Sequence, residues 1–341
     1  MRNLSTLAWR VYDAPTKPWH GVVADTEGDD SVYVMRVERR DGVSQLTLAH
    51  ITPTGTEELA VLEVASAPPH VPDVADFRLL ADGGSSVNHM PAICVIGSGG
   101  DIVLMPVDEE ASAPAEVVGS VDQGILAAAW SPEEDVLVLI TGGEKRLIVM
   151  TREFEVMSET MLSTEAFGDD QPVNVGWGSK STQFHGSEGK QAAMAAANAP
   201  EESDPRGPLV PEDDGLPRIS WRGDGAFFVT SSAEASHDTV HRILRTYTRT
   251  GTLSATSDRS VRGISHVLAC RPTGNLIATT QRMGGPWAPG RHGRHDVVFF
   301  ERNGLRHGEF SLREEHGSVP DLPSVSAEPL PPWSCEHQIR L

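Results

Sequence analysis

The sequence predicts an all-β chain, a WD40-like β-propeller of the seven-bladed type. Three observations carry that prediction. One phrase is written several times at the interval of propeller blades. The apolar bursts are short and bounded by turn formers, and few positions show helical periodicity. The phrase is clearest from Ala127 to Glu153, "AAAWSPEEDVLVLITGGEKRLIVMTRE", and it returns as "RISWRGDGAFFVTSS" and "VLACRPTGNLIATTQ". Its anchors are Trp130, Trp177, Trp221 and Cys270, spaced by 47, 44 and 49 residues.

Each element can be justified in turn. Ala127 to Trp130 is a short strand, and "SPEED" places Pro132 at the second position of a turn, where its fixed φ fits. "VLVLIT" is apolar at every position, as an inner strand covered on both faces must be. "GGEK" turns the chain, "RLIVMT" is a third strand, and "VMSETML" is an outer strand with polar residues mixed in. The second copy runs "RISW", "RGDG", "AFFVTSS", "HRILRTYTRTG" and "TLSATSD". The third runs "HVLAC", "RPTG", "NLIATT", "DVVFFERNG" and "LRHGEFSL", with Asn303-Gly304 as a hairpin signal. Four short strands with turns between them make one blade.

The earlier residues fit more loosely. "HGVVAD", "SVYVMRVE" and "SQLTLAHI" form one unit; "DFRLL", "AICVIGS" and "DIVLMPV" form another, anchored near Leu79. The propeller is therefore expected over residues 1–315, with five to six blades and its last blade missing. "KQAAMAAANA", Lys190 to Ala199, is helix-prone and opens an acidic, Pro-rich insert over 190–217 that is expected to be mobile. Residues 316–341 form a Pro-rich divergent tail. The anchor tryptophans are expected to pack between blades and hold the fold.

Composition excludes several functions. The 341 residues carry 28 Lys and Arg against 48 Asp and Glu, a net charge of −20. A surface that acidic opposes a polyanion, so RNA is not expected to bind this chain alone. Local clusters such as Arg36, Arg39 and Arg40, or Arg291 and Arg294, are the exceptions to weigh. Cys94, Cys270 and Cys335 have no paired spacing, which argues against a disulfide framework or a zinc site and fits a reducing compartment. The opening "MRNLSTLAWR" is not a signal peptide, and no apolar run approaches a membrane span. A soluble, intracellular protein is expected.

Candidate chemistry is sparse. "GSGGD", Gly97 to Asp101, lacks the following helix of a phosphate loop and is expected to be a hairpin. "GSEGK", Gly186 to Lys190, ends like a Walker motif but has Phe184 and Gln191 at two defining positions. His292 and His295, with His307 as a third, could in spacing serve a metal, but they sit in a Gly- and Pro-rich stretch better read as an exposed contact loop. No G-x-S-x-G elbow appears. No catalytic residue, metal ligand or cofactor site is expected, and the inner strands "VLVLI", "AFFVT" and "LIATT" offer no acid–base pair for a channel enzyme. A generic WD-repeat interaction module of some other assembly is the alternative that these features leave open.

Some wording is more specific than any blade consensus. "MRNL" opens the chain, "FGDDQPVNVGWGSKSTQFHGSEGK" spans Phe167 to Lys190, and "DDGLPRISWRGDGAFFVTSS" spans Asp213 to Ser232. "RPTGNLIATTQR" then leads to "DVVFFERNGLRHGEFSLRE". Together these resemble the N-terminal propeller of the largest subunit of the Elongator complex, the IKAP family, over most of Met1 to Glu315. The resemblance implies a non-catalytic scaffold required for the carboxymethyl-type modification at carbon 5 of wobble uridine in tRNA. It implies other Elongator subunits as partners, namely the catalytic acetyltransferase/radical subunit and a second propeller subunit. It further implies tRNA contact through the assembled complex, no membrane, and a cytoplasmic location with the nucleus as a second compartment. The family's solenoid and homodimerisation region have no counterpart in the sequence, so a truncated product, a misread frame or a fragment is expected.

Overall fold

The computed structural model describes residues 21–24, 32–52, 54–80, 91–107, 114–162, 168, 207–236, 239–257, 261–289 and 294–311. These form five four-stranded antiparallel sheets, each built from four consecutive strands. The first is β1 (Gly21–Ala24), β2 (Val32–Arg40), β3 (Val43–Thr52) and β4 (Gly55–Ala65). The second is β5 (Val74–Leu80), β6 (Ala92–Gly97), β7 (Asp101–Pro106) and β8 (Glu116–Ser120). The third is β9 (Ile125–Trp130), β10 (Val136–Thr141), β11 (Arg146–Thr151) and β12 (Val156–Met161). The fourth is β13 (Arg218–Trp221), β14 (Phe227–Ser236), β15 (Thr239–Thr248) and β16 (Leu253–Thr256). The fifth is β17 (Ala269–Cys270), β18 (Ile277–Arg282), β19 (His295–Phe300) and β20 (Arg306–Ser311). No helix is present among the described residues. The helix-prone stretch Lys190–Ala199, the anchor Trp177, "GSEGK" and residues 316–341 lie outside them.

The repeat seen in the sequence is a repeat in backbone geometry. Trp130 pairs with Leu137, Trp221 with Phe228, and Cys270 with Ile277, the same seven-residue step in three sheets. Each turn between is closed by one hydrogen bond, Ser131 N to Val136 O, Arg222 N to Phe227 O and Arg271 N to Leu276 O. Four residues after each anchor the backbone turns left-handed, at Glu134 (φ 58°), Gly225 (φ 65°) and Gly274 (φ 104°). That conformation costs little only for glycine, so Glu134 carries strain the other two avoid. A bulge recurs late in each third strand, at Val149/Met150, Thr246/Tyr247 and Phe299/Phe300.

The cores lie between sheets rather than within them. β1, β5, β9, β13 and β17 each contact the next in order, so the first strand of every blade is innermost. This corrects the placement of "VLVLI" and "AFFVT" on the channel. They are second strands, set one step out and buried on both faces because alternate side chains serve two seams. Leu137 and Leu139 face the second sheet beside Trp130, whereas Val136, Val138 and Ile140 face the fourth beside Trp221. Phe228 joins that same seam while Phe227 and Val229 turn to the fifth sheet. Each such side chain contributes about 1.5–3 kcal/mol on burial. Trp221 is 8% exposed, and its indole N–H donates to Ala129 O at 3.2 Å across the seam. Leu79 packs against the seam of the first and second sheets, as an anchor should. The third and fourth sheets are immediate neighbours, with the residues around Trp177 lying in sequence between them.

Candidate functional site

The densest polar cluster sits where the chain enters the fourth sheet. Residues 207–217 form a strap, fastened at one end by Leu209 N to Val240 O at 2.9 Å. Gly215 N bonds Asp213 Oδ1 at 2.8 Å and Leu216 N bonds Asp214 Oδ1 at 3.0 Å, two Asx turns that aim both carboxylates back at the sheet. Asp213 and Arg242 have fully buried side chains. Arg242 grips the carboxylate with two bonds, Nε to Oδ2 at 2.7 Å and Nη2 to Oδ1 at 2.5 Å. Its remaining N–H groups reach Leu216 O and Ser231. Arg218 pairs with Asp214, and Arg282 pairs with Glu212 while lying 5.7 Å over the Trp287 ring. Expected mobility over 190–217 therefore does not extend to its last eleven residues. They are tied to β15 by the buried Arg242–Asp213 pair and to β18 by the more exposed Arg282–Glu212 pair.

Asp213, Asp214 and His266 bring their donor atoms within 4.8 Å of one another, the one such group among the described residues. The donors do not suit a cation. Both oxygens of Asp213 accept from Arg242, Asp214 accepts from Arg218 and from Leu216 N, and two guanidinium charges stand beside them. Burial would raise the Asp214 carboxyl, but the charge and hydrogen bond of Arg218 outweigh it and hold it below the ordinary range. Burial, assisted by Arg218 and Arg242, holds the His266 imidazole below its usual 6.5 despite both carboxylates. A shallow pocket open to solvent beside Arg242, Pro208 and Val261 has room for about one water molecule. Small-molecule sites usually span about 300–1,000 Å³, and here the one buried cation is already satisfied.

The residues singled out in the sequence are dispersed. "GSGGD" is the β6–β7 hairpin and works as a staple between blades. Asp101 accepts from Ala65 N at 2.8 Å and Ser120 Oγ at 3.0 Å, while Ser98 O accepts from Ile125 N. Gly99 allows this approach, since a Cβ there would lie 2.0 Å from Ala65 O. His295 sits on β19 in register with Arg282, and His307 bonds Glu301 at 2.5 Å; His292 and Arg291 lie outside the described residues. Arg36 pairs with Glu58, Arg39 with Asp73 and Arg40 with Glu38. Arg294 pairs with Asp296 and Glu309. The described members of the basic clusters are thus each paired with an acid. On the innermost strands, Arg78 bonds Glu134, and Asp76 is raised to about 6 by burial against the opposing pull of Arg78.

A sequence model described as the ELP1 first N-terminal beta-propeller matches residues 1–326. The chain belongs to that family. Elongator complex protein 1 of Mus musculus is 34% identical over 323 residues, 92% of this chain and 21% of that protein. The Schizosaccharomyces pombe protein of the same name is 38% identical over 224 residues, 65% of this chain and 17% of its own length. That of Saccharomyces cerevisiae is 35% identical over 240 residues, covering 63% and 17%. The chain spans about a fifth of the length of the curated relatives it matches.

For this member of the ELP1 first-propeller family, reading the sequence missed the strap. "DDGLPR" was visible as a phrase, but its partner Arg242 lies 29 residues after Asp213 inside the buried strand β15. A guanidinium in "HRILRTYT" was the available signal, because a buried cation needs a buried acid.

Proposed function

We propose that this chain is the first propeller of a non-catalytic scaffold subunit of Elongator. The assembled complex would carry out the carbon-5, carboxymethyl-type modification of wobble uridine in tRNA, with the cytoplasm as its main location. The family match over residues 1–326 carries this reading. The propeller would supply rigid surface to other Elongator subunits, the catalytic and second propeller subunits among them. Support for a scaffold comes from the way its charged groups are used, since Asp213, Asp214, Glu234 and Asp101 are all held in structural bonds.

The test has two arms. Affinity capture of the native, full-length gene product should recover the catalytic and second propeller subunits. Deleting the gene should remove the carbon-5 side chain from wobble uridine, read by mass spectrometry of tRNA nucleosides. Unchanged nucleosides in the deletion strain would overturn the assignment. The isolated chain should bind tRNA only weakly, in the range of about 10⁻⁴–10⁻⁶ M at physiological salt. Arg36, Arg39, Arg40 and Arg294 are paired and the net charge is −20. Nanomolar filter binding by this chain alone would place an RNA site on the propeller and end the scaffold-only reading.

A further inference from the structure

The outer strand of the third blade is unlike a protected edge. β12 is the terminal strand of its sheet, so one row of its backbone N–H and C=O groups faces away from β11. Val156, Met157 and Met161 are 58%, 47% and 47% exposed, three of the eight large apolar side chains left exposed among the described residues. Proteins usually blunt such edges with lysine, proline or inward charge. β12 reads Val-Met-Ser-Glu-Thr-Met, with neither lysine nor proline, and its one charge, Glu159, is shared with Arg146. On β12 the fourth blade reaches Ser158, whose Oγ donates to Thr250 O at 2.7 Å. The corresponding strand of the next blade, β16, is covered more fully. Ser254 and Ala255 are 3% and 1% exposed, and Gly168 and Gly304 lie against its backbone.

The charges around β12 are one-sided. Glu153 and Glu155 stand exposed in the turn that leads into it, and Glu159 projects from the strand itself. Arg146 is shared between Glu159 and Glu144, so that group keeps a net negative charge. Arg152 is the other cation of the turn. An acidic border around apolar side chains on an open edge selects an extended segment with apolar and basic residues alternating. Backbone pairing would give affinity, and the side-chain pattern would give specificity.

We propose that β12 is a docking edge for an extended, basic, alternately apolar segment of a partner protein, which adds as a fifth strand to the third blade. The segment runs along Val156 to Met161, its lysines or arginines meeting Glu153, Glu155 and Glu159. The other outer strands are excluded as the main site by their smaller apolar exposure: β4 and β8 show one exposed large apolar residue each, and β20 shows Phe310.

The probe is a capped peptide of about seven residues alternating Lys and Val. Controls are the Glu–Val counterpart and the Lys–Val peptide with a central Pro. Hydrogen exchange of the whole chain is followed with each peptide. The basic peptide should slow exchange of those amides within 155–161 that face away from β11 by about tenfold or more, while neither control does so. Met157→Lys, an exposed change, should abolish that protection without altering the melting temperature. Four results would overturn the proposal. These are equal protection of β4, β8 and β20; equal binding of the Glu–Val peptide; the amides of β12 that face away from β11 already protected in the chain alone; or protection that rises with protein concentration without peptide, which would make a second copy the occupant.

Discussion

β12 and β16 close consecutive blades and are reached through the same turn, with Thr151 N bonded to Glu155 O in one and Thr248 N to Thr252 O in the other. Yet β12 is exposed along nearly its whole length, and the middle of β16 is buried. Nothing within the repeated unit accounts for this. The following blade's turn touches both strands, at Ser158, whose Oγ donates to Thr250 O at 2.7 Å, and at Thr256, which Gly304 meets; the added cover over β16 is Gly168. A Cβ on Gly168 would lie 2.4 Å from Ser254 C, and one on Gly304 would lie 2.2 Å from Thr256 O. The repeat decides that a strand forms and in what register. The neighbouring chain decides what its surface meets.

The sharpest way to break this contrast lies one strand inward. Arg242 and Lys145 occupy matching positions, four residues before the bulge of their sheets. Arg242→Ala strands the buried Asp213 carboxylate and should cost about 3–5 kcal/mol. Lys145→Ala loses one bond to Ala233 O at 3.1 Å and should cost about 1 kcal/mol or less. Denaturant melts compare the two, and equal losses would mean the strap does not distinguish the blades. Trp221→Ala, which opens the seam both blades share, should cost about 3–5 kcal/mol. A loss below about 1 kcal/mol would show that the seam is not packed around this indole.

Gly168→Val tests the cover itself. The backbone there has φ +96°, so a branched side chain is strained as well as crowded, and about 1–3 kcal/mol should be lost. Exchange at Ser254 and Ala255 should rise while β12 is unchanged. No change at β16 would mean Gly168 is not its cover.

Acid should move two sites, one on each flank of these blades, in opposite directions. Asp76, at the seam leading into the third blade, has its folded pKa raised from 3.8 to about 6, chiefly by burial. From about pH 6 down to 4 the folded state holds a proton the unfolded state lacks, so stability grows on acidification and is lost as pH rises through 6. His266, beside the strap of the fourth blade, has its folded pKa lowered below 6.5. There the unfolded chain takes the proton first, so stability falls as pH drops below 6.5. Exchange measured at pH 7 and 5.5 should show firmer amides around Asp76 and looser ones over 209–217. Asp76→Asn and His266→Gln should each erase one response, and parallel responses at both sites would contradict these environments.

The smallest expected effect concerns the left-handed turn position. Glu134→Gly removes a strain of roughly 1 kcal/mol, offset by the loss of the Arg78 pair at 3.3 Å. A net gain of about 0–1 kcal/mol should appear, whereas Gly225→Glu should destabilise by about 1–2 kcal/mol. A clear loss from Glu134→Gly would show that the ion pair outweighs the backbone strain.

What the sequence disclosed follows the same division. Trp130, Trp221 and Cys270 were readable because each starts a seven-residue step that sterics and burial hold constant. β10 was readable because a strand serving two seams must be apolar at every position. β4 and β8 went unread: "GTEELAVLEVA" and "EVVGS" carry exposed polar residues that blur the alternation. β17 shrank to Ala269–Cys270 from the expected "HVLAC". The strap was least legible, because local periodicity holds no record of a pairing between Asp213 and a guanidinium two strands later.

That pairing has a temporal side. Synthesis delivers Asp213 before Arg242, and the two are 29 residues apart. At roughly 5–20 residues per second the carboxylate waits about 1.5–6 seconds for its partner to be made. Through that interval the strap must stay hydrated, since an unpaired carboxylate will not enter an apolar seam. The fourth blade therefore cannot be sealed in the order in which it is translated: its first strand and the strap before it must stand open until β15 has emerged.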